Sequence, residues 1–404
     1  MKKFCAVPWN ELVYSSQMNY SACCKWQEHS KKNTASNKSS VEHYNSVQMK
    51  KLRKKFIQGK QINECKACWE DEDNGRFSMR MRRNQHYYGK SDLNVDDKEV
   101  SKVINDTGLD GSYNTENIHG LHISTGNKCQ LRCIDCSPAY SRSILKDYEK
   151  LGWDKNFKAR RHVSNNKVSE DEHWQSIKDN SQNLKIIRLT GGEPSINNRF
   201  IEYLNWCVDT GIAEKVMIHI PTNAVKISDS FLQPLKKFKK VMFSLSVDGV
   251  GELDEYLRYP TNWNKKIQNI EKIIDLFPDS NIHTVVYSLN VLKLKEIYEW
   301  GKKYPVQHSI ELLTYPEELS VKHLPDNLKE ITLKQIIPLV ENISVKKTNN
   351  VYDKENYALN GLSAVVNRIK QQGSVDEWNK CFNIIKSYDT IRKKPLNKII
   401  DNFY

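Results

Sequence analysis

Residues 119–136, HGLHISTGNKCQLRCIDC, decide the fold. The first half, HGLHIST (119–125), is a short β-rich run, and directly after it come three cysteines, Cys129, Cys133 and Cys136. Five further β-rich runs follow: LKIIRLT (184–190), KVMIHIP (215–221), KVMFSLSV (240–247), IHTVVYSL (282–289) and HSIELLT (308–314). Helical stretches such as YSRSILKDYEKL, RFIEYLNWCV, NKKIQNIEKIIDLF and LKLKEIYEWGKK separate them, with apolar positions three and four apart. This alternation predicts βα units around a parallel sheet. Six units are fewer than the eight that close a full barrel, so the expected fold class is α/β, a partial (β/α)6 TIM-like barrel.

Three thiolates at the spacing of Cys129, Cys133 and Cys136 close round one corner of an iron-sulfur cube and leave the fourth iron without a protein ligand. An open metal position means an exchangeable ligand, and so chemistry. The residues alone also admit a structural zinc site completed by a distant side chain, although the nearest paired thiols lie sixty residues upstream. The second signal is Leu189-Thr-Gly191-Gly192-Glu193-Pro194, at the carboxyl end of the second strand. Ligands of α/β sheets bind at this edge, where glycines let backbone come close and a single Glu can receive an ammonium group.

Outward from this core the composition changes. The first eighty residues hold Cys5, Cys23, Cys24, Cys65 and Cys68, a polar loop SKKNTASNKSS, and SVQMKKLRKKFIQGK. In the last of these Met49, Leu52 and Phe56 share one helical face, the basic residues form the solvated face, and Gly59 sits at the carboxyl-terminal cap. The expected organisation is a small cysteine-rich module over 1–83, a polar linker over 84–115, the barrel over 116–325 and a helical extension over 326–404. RFSMRMRR (76–83) reads as a solvated helix face, His119 and His122 as packed strand residues, and Cys207 and Cys381 as small buried hydrophobes.

The chain has 404 residues, 38% hydrophobic and 27% charged, which excludes a disordered chain. No apolar stretch approaches the roughly 20 residues of a bilayer span, so no membrane partner is expected. Pro8, Asn10 and Glu11 break the apolar start before it can act as a signal peptide, and a cytoplasmic protein is expected. The net charge of +13 leaves RNA open as a partner. Grouped cysteines in such a chain point to metal or redox chemistry and away from disulfides.

CQLRCIDC followed by GGEP resembles the radical S-adenosylmethionine (radical SAM) superfamily over about residues 118–320. The resemblance implies a 4Fe-4S cluster on Cys129, Cys133 and Cys136, S-adenosylmethionine chelating the open iron, and Gly191, Gly192, Glu193 and Pro194 holding its amino group. Thr222 and Asn223, in PTNA (221–224), and Ser246 and Asp248, in SLSVDG (244–249), are similar to the family's segments lining the ribose and methionine. Where the family usually has an apolar or aromatic residue against the adenine, this chain has Asp135. The N-terminal cysteines resemble a twitch (SPASM-like) auxiliary module placed before the barrel. Cys5, Cys23, Cys65 and Cys68 would then ligate a second, auxiliary 4Fe-4S cluster, although the residues alone suit zinc equally well. Cys24 is the alternative to Cys23. The resemblance implies an enzyme that cleaves S-adenosylmethionine to a 5'-deoxyadenosyl radical, with flavodoxin or ferredoxin as one-electron donor. A peptide or protein side chain is the expected substrate, with RNA or a nucleotide, or a non-catalytic metal-stabilised binding protein, as alternatives.

Overall fold

The computed structural model describes residues 3–15, 20–26, 39–73, 76–153, 169–344, 354–401 and 403. The six expected strands form and pair in parallel in chain order: β3 (Gly120–Ser124), β4 (Ile186–Thr190), β5 (Met217–Thr222), β6 (Lys240–Ser246), β7 (Asn281–Val286) and β8 (Gln307–Leu312). Two strands of the N-terminal module extend the sheet to eight. β1 (Glu11–Tyr14) pairs in parallel with β3, and β2 (Tyr20–Ser21) pairs antiparallel with β1. The module is thus continuous with the barrel wall.

Alternation along the strands sets two different faces. Leu121, Ile123, Ile187, Leu189, Ile218, Ile220, Val241, Phe243 and Ile282 all enter one apolar core with the surrounding helices. The intervening positions carry His122, Arg188, His219, Ser244, His283 and Glu311, so the opposite face is polar. A barrel interior is ordinarily filled by branched apolar residues. Here the helix Met79–Tyr88 of the module meets Glu11, Arg188 and Glu311 of that polar face.

That helix overturns the reading of RFSMRMRR as a solvated face, because Arg80 and Arg83 are buried. Glu11 Oε1 receives Arg188 Nη1 at 2.7 Å, Arg83 Nε at 3.0 Å and the Tyr87 hydroxyl at 3.1 Å, tying β1, β4 and the helix together. Burial works to raise the Glu11 carboxyl, but Arg83 and Arg188 outweigh it and hold it below the usual range. Arg82 Nη1 meets Glu311 Oε1 at 2.8 Å, so the same helix joins the module to β8 at the far end of the sheet.

The helix Val47–Ile57 forms as expected with Met49, Leu52 and Phe56 buried, and Gly59 has a positive φ of 66°. Arg53 departs from the solvated face: it is fully buried and donates to the carbonyls of Pro8, Tyr44 and Gly111. Residues 84–115 contain a further helix, Lys98–Asn105, with Val100 and Val103 packed in the core. The polar stretch SKKNTASNKSS lies outside the described residues from 30 to 38. Beyond residue 325 the helices Asp326–Ser344, Lys354–Ile369 and Val375–Asp389 pack on β7 and β8 in a second apolar core. Cys207 and Cys381 are fully buried among apolar neighbours. Among the described residues no helix is long and apolar enough to cross a membrane.

Candidate active site

Each parallel strand delivers the residues that follow it to one edge of the sheet, and four consecutive strands do so here. After β3 the chain enters the loop of Cys129, Cys133 and Cys136. The loop is held from several sides: Ser143 Oγ donates to the Cys129 carbonyl (2.6 Å), the amide of Ile134 to Leu257 (3.0 Å), and Arg392 Nη2 to the carbonyl of Arg132 (2.7 Å). Asp147 accepts ion pairs from Arg132 and Arg392, and both guanidiniums lie on the Tyr259 ring. The C-terminal extension therefore clamps the cysteine loop.

Gly191 and Gly192 follow β4 and lie against the loop that leads to Cys129. The Gly192 amide donates to Gly126 O at 2.7 Å and the Glu193 amide to Lys128 O at 2.9 Å, locking this loop onto the one that leads to Cys129. A Cβ on Gly191, which has φ 107°, would come within 2.7 Å of Gly126 O, and one on Gly192 would overlap Lys128 O. The close approach that needs glycine is to the chain's own cysteine loop.

Glu193 is buried, and its carboxylate draws three segments together. Oε1 accepts from the Ser195 amide (3.2 Å), Ser195 Oγ (2.8 Å) and Thr222 Oγ1 (2.7 Å), and Oε2 accepts from the Asn223 amide (2.7 Å). Burial raises its pKa, and these donors oppose the rise. Pro194 is buried and starts the short helix Pro194–Ile196. At the end of β5, Asn223 takes a hydrogen bond from Gln130 Nε2 (3.0 Å) and points Nδ2 at Cys129 Sγ (3.8 Å). Ser246 ends β6, half-buried. Asp248, fully buried, accepts from Arg258 (2.5 Å) and the Val285 amide (2.9 Å), tying β6 to β7.

All three barrel thiols have raised pKa values. For each the first cause is burial, and for Cys133 and Cys136 it is followed by Asp135 and the neighbouring thiols, with Cys136 pushed up to about 12. Asp135 is pushed up to about 6 by burial and by Asp248. Arg258 opposes the rise at all three thiols, and sequence reasoning missed it. It lies on no motif, and only the fold brings it beside Cys133. Thiols in this state become ligands when a positively charged centre replaces their protons, which fits the donor set of an iron-sulfur cluster.

Residues 123–301 match the family model of the radical SAM superfamily. Those residues form a radical SAM domain within the chain. A radical SAM domain implies a 4Fe-4S cluster and S-adenosylmethionine as cofactors, and radical SAM enzymes require a reductant. A curated relative, GTP 3',8-cyclase of Clostridium acetobutylicum, is 26% identical over 247 residues, covering 58% of this chain and 70% of the relative. Among solved structures, Streptococcus suis SuiB bound to S-adenosylmethionine matches 57% of this chain and 48% of its own, at 17% identity and TM-score 0.33. Native anSMEcpe with bound AdoMet matches 56% of this chain and 62% of its own, at 20% identity and TM-score 0.40. The chain thus spans between about half and two thirds of the length of these two structures.

Outside the radical SAM domain the N-terminal cysteines gather separately. Cys5, Cys23, Cys65 and Cys68 line one cavity with Val7, Pro8, Ala22, Phe56 and Trp69. Burial is the first cause of the raised Cys5 and Cys65 pKa values, the latter up to about 12, and mutual repulsion adds to both. Cys24 does not line that cavity; it is exposed, with His122 and Arg83 among its electrostatic partners. Among the described residues no three His, Cys, Asp or Glu side chains stand close enough to share one metal ion.

Proposed function

We propose that the protein is a radical SAM enzyme that abstracts hydrogen from a peptide or protein side chain, with Cys129, Cys133 and Cys136 ligating its catalytic 4Fe-4S cluster. When bound, the cluster and S-adenosylmethionine supply a 5'-deoxyadenosyl radical by one-electron reductive cleavage of a carbon–sulfur bond, with methionine as the other product. The residues of the chain bind, orient and exclude water around that chemistry. The cysteine loop is held rigid by Arg392, Asp147 and Tyr259. Glu193, backed by Thr222 and Ser195, presents Oε2 as the acceptor for an ammonium, and Asn223 donates toward a ligand sulfur. Asp248 and Ser246 form the wall at the ends of the next strand. A flavodoxin or ferredoxin supplies the electron.

The observation that supports this reading is the knitting of GGEP to the cysteine loop through Gly192, Glu193 and Asn223, which brings the Glu193 carboxylate close to the loop of Cys129, Cys133 and Cys136. Four further thiols on one cavity support a second, fully ligated cluster at Cys5, Cys23, Cys65 and Cys68. Anaerobic reconstitution, reduction and analysis for 5'-deoxyadenosine tests the proposal. Formation of deoxyadenosine supports it, and a protein that binds iron yet consumes no S-adenosylmethionine is a scaffold instead.

A further inference from the structure

A second cavity lies where the two ends of the sheet are brought together. Its walls come from three parts of the chain: Lys25, Asp71, Arg76 and Arg82 of the N-terminal module, the carboxyl end of β8, and Tyr357 and Asn360 of the helix Lys354–Ile369. The space between them amounts to about 670 Å³ when the solvent it opens onto is included. It sits at the strand end where α/β barrels bind ligands. Lys25 also lines the four-thiol cavity, so the two adjoin.

The charges in this cavity discriminate between ligand classes. Arg76 is paired with Asp71 at 2.5 Å, and Arg82 with Glu311 at 2.8 Å while lying over the Tyr357 ring. These four charges cancel in pairs. Lys25 is exposed and its charge also acts on Asp71, so the five charges of this cavity sum to one net positive charge among the described residues. Phe77, Ile310, Leu312 and Ala364 add apolar surface to the lining. One net positive charge beside apolar lining residues suits a single carboxylate next to an apolar side chain. A phosphate backbone would instead face the carboxylates of Asp71 and Glu311, which is a repulsive arrangement for a polyanion.

We propose that this cavity binds the substrate of the radical reaction as a peptide segment in which an acidic residue, seated on Lys25, neighbours a large apolar residue. The ligand's identity as substrate rests on the function proposed above; its chemistry rests on the cavity alone. Asn360 is exposed on the rim, so Asn360→Trp fills the cavity without disturbing a buried contact.

The test is an anaerobic mRNA-display selection of a randomised nonapeptide library on the immobilised, cluster-loaded full chain, with a randomised RNA library run in parallel. Asp or Glu next to Leu, Ile, Phe or Met is expected to be enriched about tenfold over input, equivalent to about 1.4 kcal/mol of preference. Lys25→Glu should turn the preference toward Lys and Arg, Lys25→Arg should keep it acidic, and Asn360→Trp should abolish it. Cluster absorbance and melting temperature confirm that each variant is folded. Enrichment of no acidic residue, enrichment that survives Asn360→Trp, or RNA enrichment lost in Asn360→Trp each overturns the proposal. The selection needs no cofactor cleavage. Acidic enrichment without deoxyadenosine formation therefore sinks the radical reading alone, and deoxyadenosine formation without enrichment sinks the cavity proposal alone.

Discussion

Asn223 Nδ2 lies 3.8 Å from Cys129 Sγ, while its backbone amide donates to Glu193 Oε2 at 2.7 Å. One residue at the end of β5 thus touches both the cluster loop and the proposed ammonium acceptor. Hydrogen bonds to cluster sulfurs raise the reduction potential by stabilising the added electron. Asn223→Ala is expected to move the cluster to a more negative potential, measured by EPR-monitored redox titration, and to cost about 1 kcal/mol of stability per lost hydrogen bond. An unchanged potential would remove the Asn223 side chain from the cluster's surroundings.

Gly192→Ala should separate the two loops, because its Cβ would overlap the Lys128 carbonyl. The overpacking is expected to cost about 1–3 kcal/mol. The cost should appear as a lower melting temperature, together with reduced iron retention in the barrel cluster. Gly211→Ala, at a helix end with open space around it, is the control that should leave iron content unchanged.

Glu11→Gln should loosen the junction between module and barrel. It leaves Arg83 and Arg188 without their shared carboxylate, and breaking a buried pair of this kind typically costs about 3–5 kcal/mol. The folded carboxyl is held below its ordinary value of 4.5, so its contribution is fully present above that value and is lost as pH falls through the lower folded value. Thermal unfolding against pH should therefore show an acid loss of stability in the parent that is smaller in Glu11→Gln.

Metal analysis separates the two cysteine groups. About eight irons per chain are expected from two 4Fe-4S clusters, and Cys65→Ala should halve that number. Four irons together with stoichiometric zinc would assign zinc to the N-terminal cavity.

The thiols should also separate in function. Cys133→Ala is expected to abolish deoxyadenosine formation, since it removes a ligand of the cluster with the open iron. Cys68→Ala should leave uncoupled cleavage measurable while stopping substrate turnover. If Cys68→Ala with an intact barrel cluster also loses all cleavage, the N-terminal cluster belongs to the electron path instead.

The sequence by itself determined the barrel and the edge at which its chemistry sits. Strand and helix periods are local, and a loop that follows a parallel strand must emerge at that strand's carboxyl end, so Cys129–Cys136, GGEP and Asn223 share one edge before any contact is known. Tertiary structure decided what surrounds them. Arg188 and Glu11 are 177 residues apart, and Arg392 reaches Arg132 across 260. RFSMRMRR has the composition of a solvated helix, yet its helix is drawn onto the sheet because β1, β4 and β8 carry Glu11, Arg188 and Glu311 to meet it. The two glycines of GGEP were legible as a close approach, but the partner was the chain's own cysteine loop. Charge pairing of this kind leaves no periodic trace: each residue reads as ordinary surface in its own segment, and only the fold supplies the opposite charge that allows its burial.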